Sequence, residues 1–213
     1  TASALAGGNP VVVKGHPAHP ETGKLVAGAI QKAIQKSGLH SGVFSHIQDT
    51  GYEAGKLLVQ HPATKAVAFT GSVQGGLALA KLAAERDEPI PVFAEMGSIN
   101  PVVVLPGALE RNAASIASKL VASVNLGAGQ FCTNPGLIIT AKTEGFDAFI
   151  RELASQVKTA AGSRMFSEGV LRNYQLNSEK MISYSEVRLI AKGDETVSGV
   201  VPPAIATVSA TDF

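Results

Sequence analysis

Residues 65–94, KAVAFTGSVQGGLALAKLAAERDEPIPVFA, decide the fold class of this chain. The apolar run at 65–70 predicts a buried β-strand, the spacing of residues 75–86 predicts a helix, and residues 91–94 begin a second strand. The side chains that this helix is expected to turn inward are Leu77, Leu79, Leu82 and Ala83. A strand, a helix and a strand in so short a stretch indicate a right-handed βαβ unit with parallel strands.

The same alternation is found upstream. Residues 10–15 (PVVVKG) and 42–48 (GVFSHIQ) predict two further strands, and residues 52–61 predict a short helix. The helix between these two strands is expected to bury Leu25, Val26, Ala29, Ile30, Ala33 and Ile34. Gly38 is typical of the C′ position that ends a helix. The first half therefore predicts an α/β fold in which four parallel strands alternate with three helices.

The second half also mixes strands and helices. Strands are predicted at 101–105, 136–142, 187–191 and 205–208, and helices at 112–125, 146–157 and 167–183. The helix at 146–157 is expected to bury Phe146, Phe149, Ile150, Leu153 and Val157. A predicted strand ends near Gly97 and Pro101 opens the next apolar run, so we place a boundary there and predict domains of residues 1–98 and 99–213.

Composition limits the possible partners. The 213 residues carry a net charge of +1 and 45% of them are apolar, which favours a globular chain and gives no electrostatic reason to expect nucleic acid or a membrane. A single cysteine excludes an internal disulfide and fits a reducing compartment, so we expect a cytoplasmic protein. Residues 120–141 are uncharged and long enough to span a bilayer, but their Gly, Pro and Asn residues predict a buried loop instead.

The lone cysteine, Cys132, lies in the glycine-rich stretch GAGQFCTNPG at 127–136, after a predicted helix. A free cysteine is most often a buried apolar residue, yet a thiol in a glycine-rich loop also suits a nucleophile. The loop is a poor dinucleotide fingerprint, because the third glycine position of that pattern is Cys132 itself. Both interpretations of Cys132 are open from these residues alone.

Two charged residues end predicted strands. Glu95 closes the strand in VFAEMG and Lys14 closes the strand in PVVVKG. Ligands of open α/β sheets gather at the carboxyl ends of the strands, so both are candidate site residues, and the alternative for each is a solvated strand end. The spacing of His16 and His19 could suit a metal, but prolines surround them and no third ligand is evident, so we predict no metal site.

The turn FTGSVQGG at 69–76 is a candidate phosphate site. Glycines let the backbone approach a phosphate, and the N-terminus of a helix attracts negative charge. The turn lacks the Gly-Lys-Ser/Thr ending of a P-loop. Glycines in strand-to-helix turns also serve packing alone, so this interpretation is kept beside the first.

Together these motifs resemble the aldehyde dehydrogenase superfamily. Four motifs occur in its order and rough spacing: PVVVK ending at Lys14, FTGSxxxG ending at Gly76, EMG beginning at Glu95 and GQFC ending at Cys132. The specific part of the resemblance runs to about Thr140 and continues loosely through VPPAIATV at 201–208. The SINP sequence at 98–101 is similar to the branch of NADP-linked fatty aldehyde and α-ketoglutaric semialdehyde (2,5-dioxovalerate) dehydrogenases.

The resemblance implies a fold and a reaction. The fold is a Rossmann-type parallel sheet in a nucleotide-binding domain, followed by an α/β catalytic domain. The reaction is oxidation of a small aldehyde to the carboxylic acid with NADP, or with NAD. Cys132 would attack the carbonyl as thiolate, its N–H and an upstream Asn would hold the oxyanion, and Glu95 would activate water to hydrolyse the thioester.

The resemblance also implies which residues bind the cofactor. Lys14 would meet the adenosine ribose and its phosphate, and Gly51 and Gly55 would lie at the adenine end. The remaining candidates are Thr70, Gly71, Ser72, Gly76 and Met96. Many NAD-linked relatives carry a Glu at the position of Pro17, where it binds the ribose hydroxyls. Its absence, with Lys14 and His16 nearby, predicts a preference for NADP with NAD tolerated.

The sequence departs from the family pattern in places. Ser98 stands where the family has a second Gly after Glu95. The family's oxyanion Asn motif and its Glu-x-Phe-Gly-Pro motif are not found, so the resemblance implies a piece of a longer homo-oligomeric enzyme, and we expect the 213 residues alone to bind nucleotide weakly without turnover. Two alternatives stay open: an inert nucleotide-binding fragment, and a relative that makes acyl-CoA or reduces acyl phosphates. Glu95 weighs against the second, because such relatives need no hydrolytic base.

Overall fold

The computed structural model describes residues 1–194 and 199–213. These residues form two compact units, Thr1–Met96 and Gly97–Phe213, and each is described by itself. No helix within the described residues is long and apolar enough to cross a membrane.

From Val11 onward the first unit alternates strands and helices as the sequence predicts, whereas a short helix at Ala2–Ala6 was not predicted. Its elements are α1 (Ala2–Ala6), β1 (Val11–Lys14), α2 (Pro20–Lys36), β2 (Phe44–Ile47), α3 (Glu53–Gln60), β3 (Val67–Gly71), α4 (Val73–Ala84) and β4 (Val92–Met96). β1 pairs with β2 and β3 pairs with β4, both in parallel, so α2 and α4 are crossover helices. Each of these sheets has two strands among the described residues.

Helix α2 ends as the sequence predicts. Gly38 has a φ of +64°, and its N–H donates to the Gln35 carbonyl at 3.2 Å. The Leu39 N–H donates to the Ile34 carbonyl at 3.1 Å. These two hydrogen bonds form the Schellman motif that glycine at C′ permits.

The buried side of α2 differs from the prediction. Ala27, Ile30 and Ile34 pack against the β1–β2 pair. Four residues that were expected to be buried are exposed: Leu25, Val26, Ala29 and Ala33. Leu25, which is 76% exposed, lies about 160° around the helix from Ala27 at 3.6 residues per turn. The helix has apolar residues on two sides, and only one of them meets the strands.

The second unit begins with a parallel strand pair and continues with antiparallel pairs. Its elements are β5 (Pro101–Val104), α5 (Pro106–Asn125), β6 (Leu137–Thr140), α6 (Phe146–Thr159), β7 (Ser163–Arg164), α7 (Glu168–Ile182), β8 (Arg188–Lys192), β9 (Val200–Val201) and β10 (Ala204–Thr207). β5 and β6 are parallel, whereas β7 pairs with β9 and β8 with β10 in antiparallel fashion. Helix α7 begins with Ser167 as N-cap, its hydroxyl accepting from the Val170 N–H at 3.3 Å.

The core of the second unit lies between α5 and α6. The predicted face of α6 is confirmed, because Phe149, Leu153 and Val157 are buried. They pack with residues of α5 and of the strands, namely Val104, Leu109, Ala117, Leu120, Val121 and Ala191. Helix α5 starts at Pro106, earlier than predicted, and breaks at Asn112, where φ is −144°. The prediction began at this break, because the regular apolar spacing begins after it.

Candidate active site

Cys132 lies in an exposed loop that follows α5. In the 3-10 segment after the helix, Gly127, Ala128 and Gly129 have φ angles of 59°, 56° and 70°. Three successive left-handed residues turn the chain away from the helix. The Cys132 residue is exposed and Phe131 is 56% exposed. The interpretation of this thiol as a core residue is therefore wrong, as is the expectation of a buried loop.

Residues 131–134 form a β-turn, called here the thiol turn. The Asn134 N–H closes it on the Phe131 carbonyl at 3.0 Å. Two side chains fix its second residue, because Ser98 Oγ donates to the Cys132 carbonyl at 2.5 Å and Asn100 Nδ2 donates to it at 2.7 Å. Asn100 Nδ2 also donates to the Asn134 carbonyl at 3.0 Å. Ser98, which the sequence marked only as a departure from the family pattern, is thus in direct contact with the peptide of the thiol.

The backbone N–H of Cys132 points to a chemical use. Within the described part of the chain, no protein atom accepts a hydrogen bond from it. The other end of the same peptide, the Phe131 carbonyl, accepts the Asn134 N–H. An N–H without a protein acceptor, beside an exposed thiol, can hold the oxyanion that forms when the thiol attacks a carbonyl group.

A cavity of about 690 Å³ also lies in the second unit. Gln130, Asn134, Phe166 and Tyr174 belong to its lining, and the Phe166 N–H donates to Gln130 Oε1 at 2.7 Å. Asn134 Oδ1 is buried and has no hydrogen-bond partner among the described residues. Cys132 is not one of the described residues that line this cavity. The cavity is therefore not assigned to a molecule that reacts with the thiol.

Glu95 lies at the carboxyl edge of the β3–β4 pair. It is exposed, and it stands in register with Thr70 of β3. Ser72 caps α4 at the same edge, since its Oγ accepts from the Gly75 N–H at 3.1 Å. A carboxylate, a hydroxyl and the start of a helix are therefore gathered where ligands of α/β sheets bind.

Two glycines of this turn lie close to neighbouring side chains. A Cβ at Gly76 would lie 2.6 Å from Met96 Sδ, and a Cβ at Gly71 would lie 2.6 Å from the Phe69 ring. The side of α4 that carries Gly76 therefore faces β4. Leu77, predicted to face inward, is consequently 59% exposed. These close contacts support the packing interpretation of both glycines.

The carboxyl edge of the β1–β2 pair carries the other predicted cofactor residues. Lys14 ends β1, His16 and Pro17 follow it, and Asp49 follows β2. A cavity of about 360 Å³ is lined here by residues including Pro17 and Asp49. Gly51 also lies at this edge. We call these loops, residues 14–17 and 48–51, the β1–β2 edge.

Lys14 and two histidines lie at or beside the β1–β2 edge. The rings of His16 and His19 stack with their centroids 5.2 Å apart. Burial, together with the nearby charges of His19 and Lys14, lowers the pKa of His16 below its ordinary value. An anion bound here would favour the charged form of the His16 ring.

Asp49 was not singled out by the sequence analysis. Its carboxylate accepts hydrogen bonds from the Gly51 N–H at 3.0 Å and the Ala54 N–H at 3.2 Å, and these bonds lower the pKa of Asp49. The charge of Lys14 acts in the same direction. An Asp two residues before a Gly at the end of a strand is the signal that could have predicted this turn.

The two remaining glycine candidates have room around them. A Cβ at Gly55 would meet nothing within 4 Å, and one at Gly51 would meet only Asp49, at 3.8 Å. Packing among the described residues thus does not require glycine at either position. A molecule could approach the backbone closely at both.

The predicted site residues thus fall into three groups. One group lies at the β1–β2 edge or just after it (Lys14, His16, Pro17, Gly51 and Gly55), one at the β3–β4 edge (Thr70, Gly71, Ser72, Gly76, Glu95 and Met96), and Cys132 lies in the second unit. Among the described residues there is no cluster of three His, Cys, Asp or Glu side chains that could hold a metal ion.

Comparison with known proteins identifies relatives over most of the chain. The model of the aldehyde dehydrogenase family matches residues 1–171. The α-ketoglutaric semialdehyde dehydrogenase of Acinetobacter baylyi is 46% identical over 193 residues, which cover 91% of this chain and 36% of that protein. The α-ketoglutaric semialdehyde dehydrogenase 2 of Azospirillum brasilense is 45% identical over 194 residues, covering 91% of this chain and 37% of that protein. The chain thus spans little more than a third of these relatives.

Solved structures support the fold. The glyceraldehyde-3-phosphate dehydrogenase of Methanocaldococcus jannaschii, in complex with NADP, superposes with a TM-score of 0.83 at 22% identity, covering 99% of this chain and 46% of that one. The γ-glutamyl-γ-aminobutyraldehyde dehydrogenase of Burkholderia cenocepacia gives a TM-score of 0.80 at 24% identity, covering 98% of this chain and 43% of that one. At these identities the likeness establishes the α/β fold that the sequence predicted.

Proposed function

Because this chain belongs to the aldehyde dehydrogenase family, we propose that it carries the nucleophile and the general base of an enzyme that oxidises an aldehyde to the carboxylic acid with NADP. Cys132 is the nucleophile and Glu95 the base of the proposal. The observation that carries it is the exposed thiol turn, which presents a thiol beside a backbone N–H that has no acceptor in the described chain.

The first part of the reaction uses Cys132. Its sulfur adds to the aldehyde carbon, and the carbonyl oxygen becomes an oxyanion that the Cys132 N–H can hold. NADP, when bound, supplies the acceptor for the hydride that leaves this carbon. The carbon then remains joined to Cys132 as a thioester.

The second part uses Glu95. An exposed carboxylate at the end of β4 is free to take a proton from water, and that water attacks the thioester carbonyl to release the acid and the thiol. A hydrolytic base of this kind favours acid formation over transfer to CoA or phosphate. The presence of Glu95 thus supports the oxidising enzyme against the acyl-CoA-forming alternative.

The β1–β2 edge supports the choice of NADP. Lys14 brings positive charge, the His16 ring can take up a proton beside an anion, and Pro17 carries no carboxylate that would repel a 2′-phosphate. Gly51 and Gly55 leave space for the adenosine side of a dinucleotide. Asp49 adds negative charge, but its oxygens already accept two backbone N–H groups. These residues fit a dinucleotide with an extra phosphate better than one without, and NAD is the tolerated alternative.

The substrate is inferred from the relatives. Two proteins with 46% and 45% identity are α-ketoglutaric semialdehyde dehydrogenases. We propose the same semialdehyde, or one with a similar carboxylate-bearing chain, for this protein. Cytoplasmic location and a homo-oligomer complete the proposal, and both derive from the sequence-based expectations.

The test is aldehyde-dependent reduction of NADP by the gene product that carries these residues. We expect α-ketoglutaric semialdehyde to give reduced NADP at 340 nm and one equivalent of α-ketoglutarate. Product that appears only with added CoA, as a thioester, would favour the acyl-CoA-forming alternative. No reduction with any of several aldehydes, despite measurable nucleotide binding, would favour the inert nucleotide-binding alternative.

A further inference from the structure

Three residues that follow the first unit contact the loop of the proposed nucleophile. Ser98 Oγ donates to the Cys132 carbonyl at 2.5 Å, and Asn100 Nδ2 donates to the Cys132 and Asn134 carbonyls at 2.7 Å and 3.0 Å. Between them, the Ile99 carbonyl accepts the Gly136 N–H at 2.7 Å. Segment 98–100 therefore holds the chain from 132 to 136 by four hydrogen bonds across more than thirty positions of sequence.

The backbone of Asn100 is itself unusual. Its φ of +47° lies in the left-handed region, which Asn tolerates better than most residues. In that conformation the side-chain amide of Asn100 donates hydrogen bonds to two carbonyls that lie two residues apart. A single side chain therefore spans the second and fourth residues of the thiol turn.

This arrangement bears on the Cys132 N–H. The β-turn hydrogen bond from Asn134 to the Phe131 carbonyl polarises the peptide whose other end is the Cys132 N–H, because hydrogen bonds along a chain strengthen one another. Asn100 holds the Asn134 carbonyl, and Ser98 and Asn100 hold the Cys132 carbonyl. The direction of the Cys132 N–H relative to its own thiol is thus set from both sides.

We propose that Ser98 and Asn100 are positioning residues, which hold the thiol turn so that the Cys132 N–H faces an oxyanion formed on the carbon that the Cys132 sulfur attacks. The proposal rests on the proposed function, since it takes Cys132 as the residue that is acylated. It goes further because it gives a role to Ser98, where the family pattern has glycine.

The test compares two reactions of the same thiol. With 4-nitrophenyl acetate the sulfur bonds to the acetyl carbon through a tetrahedral oxyanion, the bond to nitrophenolate breaks, and the thiol proton passes to the buffer. With iodoacetamide the sulfur displaces iodide and no oxyanion forms. Cys132 is the only cysteine of the 213-residue chain, so both rates report on one site. Neither reaction needs NADP or an aldehyde, so this test can fail or succeed independently of aldehyde oxidation.

The variants separate the hydrogen bonds from the backbone conformation. Ser98→Ala removes the hydroxyl, whereas Ser98→Thr keeps one. Asn100→Gly removes the amide and still permits the left-handed φ. Ser183→Ala is the matched control, because it removes a hydroxyl that donates to a carbonyl at 2.7 Å elsewhere in the second unit.

We expect Ser98→Ala and Asn100→Gly to lower the acetylation rate by about tenfold or more, with alkylation changed by less than about threefold, since loss of an oxyanion donor costs about a hundredfold or more. Ser98→Thr and Ser183→Ala should keep the ratio of the two rates. Equal changes in both rates would reduce the two residues to structural supports and overturn the proposal. So would a wild-type chain whose acetylation does not exceed that of Cys132→Ala.

Discussion

The thiol turn and the β1–β2 edge are held by different kinds of interaction. Neutral side chains, Ser98 and Asn100, bind the carbonyls of the thiol turn. The β1–β2 edge instead contains ionisable groups, among them Lys14, His16 and Asp49. Bonds between neutral groups respond little to salt, whereas exposed charges are screened at physiological ionic strength. Substitution should therefore affect both regions, but salt and pH should act mainly through the β1–β2 edge.

The largest effect should come from removing the thiol. Cys132→Ala leaves the turn without a nucleophile, and we expect turnover of the aldehyde by the gene product to fall by roughly a thousandfold or more. Steady-state reduction of NADP measures it, with Ser183→Ala as the control. A Cys132→Ala variant that keeps substantial activity would mean that the thiol turn does not carry the chemistry.

Glu95→Gln should give the next largest effect. The variant keeps the shape of the side chain but cannot accept a proton, so hydrolysis of the thioester should slow by about a hundredfold or more. A pre-steady-state burst of reduced cofactor should persist, because the thioester still forms. Glu88→Gln removes an exposed charge from the same unit and should leave both phases as they are. If burst and steady state fall together by one factor in Glu95→Gln, Glu95 serves another step.

A third experiment changes the charge of the β1–β2 edge and measures cofactor preference. Lys14→Ala, and separately Pro17→Glu, should lower the ratio of kcat/KM for NADP to that for NAD by roughly tenfold to a hundredfold, the range of about 1–3 kcal/mol for a charged hydrogen bond. Lys24→Ala, which removes an exposed lysine that pairs with Glu21, is the control for total charge. A wild-type preference for NAD would contradict the assignment of this edge to a 2′-phosphate.

The comparison also shows what sequence can and cannot predict. Short β-branched runs and helical spacing predicted all four strands and three of the four helices of the first unit, because local patterns reflect burial. The packed side of α2 was missed, since its apolar residues occupy two sides and spacing alone does not say which one meets a strand. Gly38 was predicted correctly because the left-handed C′ position is a local requirement.

The site was predictable to a different degree. Cys132 and Glu95 could be named from motifs, but their settings could not. Ser98 and Asn100 contact the thiol turn from 34 and 32 positions away, and no local pattern encodes such a contact. The uncharged run around Cys132 suggested burial, whereas three left-handed residues carry it to the surface. Roles of these residues stay predictions until the variants are measured.

The smallest expected effect is a pH dependence confined to the β1–β2 edge. Burial and the charges of His19 and Lys14 lower the pKa of His16 in the free chain, so its ring is neutral near pH 7. A bound 2′-phosphate would favour the charged ring and raise this pKa, so that binding takes up a proton. Affinity for NADP should then increase as pH falls from about 8 toward about 6.5, the ordinary pKa of histidine, while affinity for NAD should change less.

Titration calorimetry with both nucleotides, in buffers of different ionisation enthalpy, measures this proton uptake directly. We expect the ratio of NADP to NAD affinity to increase by about twofold to fivefold over that range, since only one ring takes up a proton. His16→Gln should flatten the ratio. His40→Gln should not, because His40 caps the 3-10 turn before β2 and accepts a hydrogen bond from the Gly42 N–H at 3.0 Å.

Asp49 does not produce the same trend, because its pKa is lowered and it stays ionised throughout this range. A ratio that is flat in the wild type, or that increases equally in His16→Gln, would assign any cofactor preference to Lys14 and Pro17 alone.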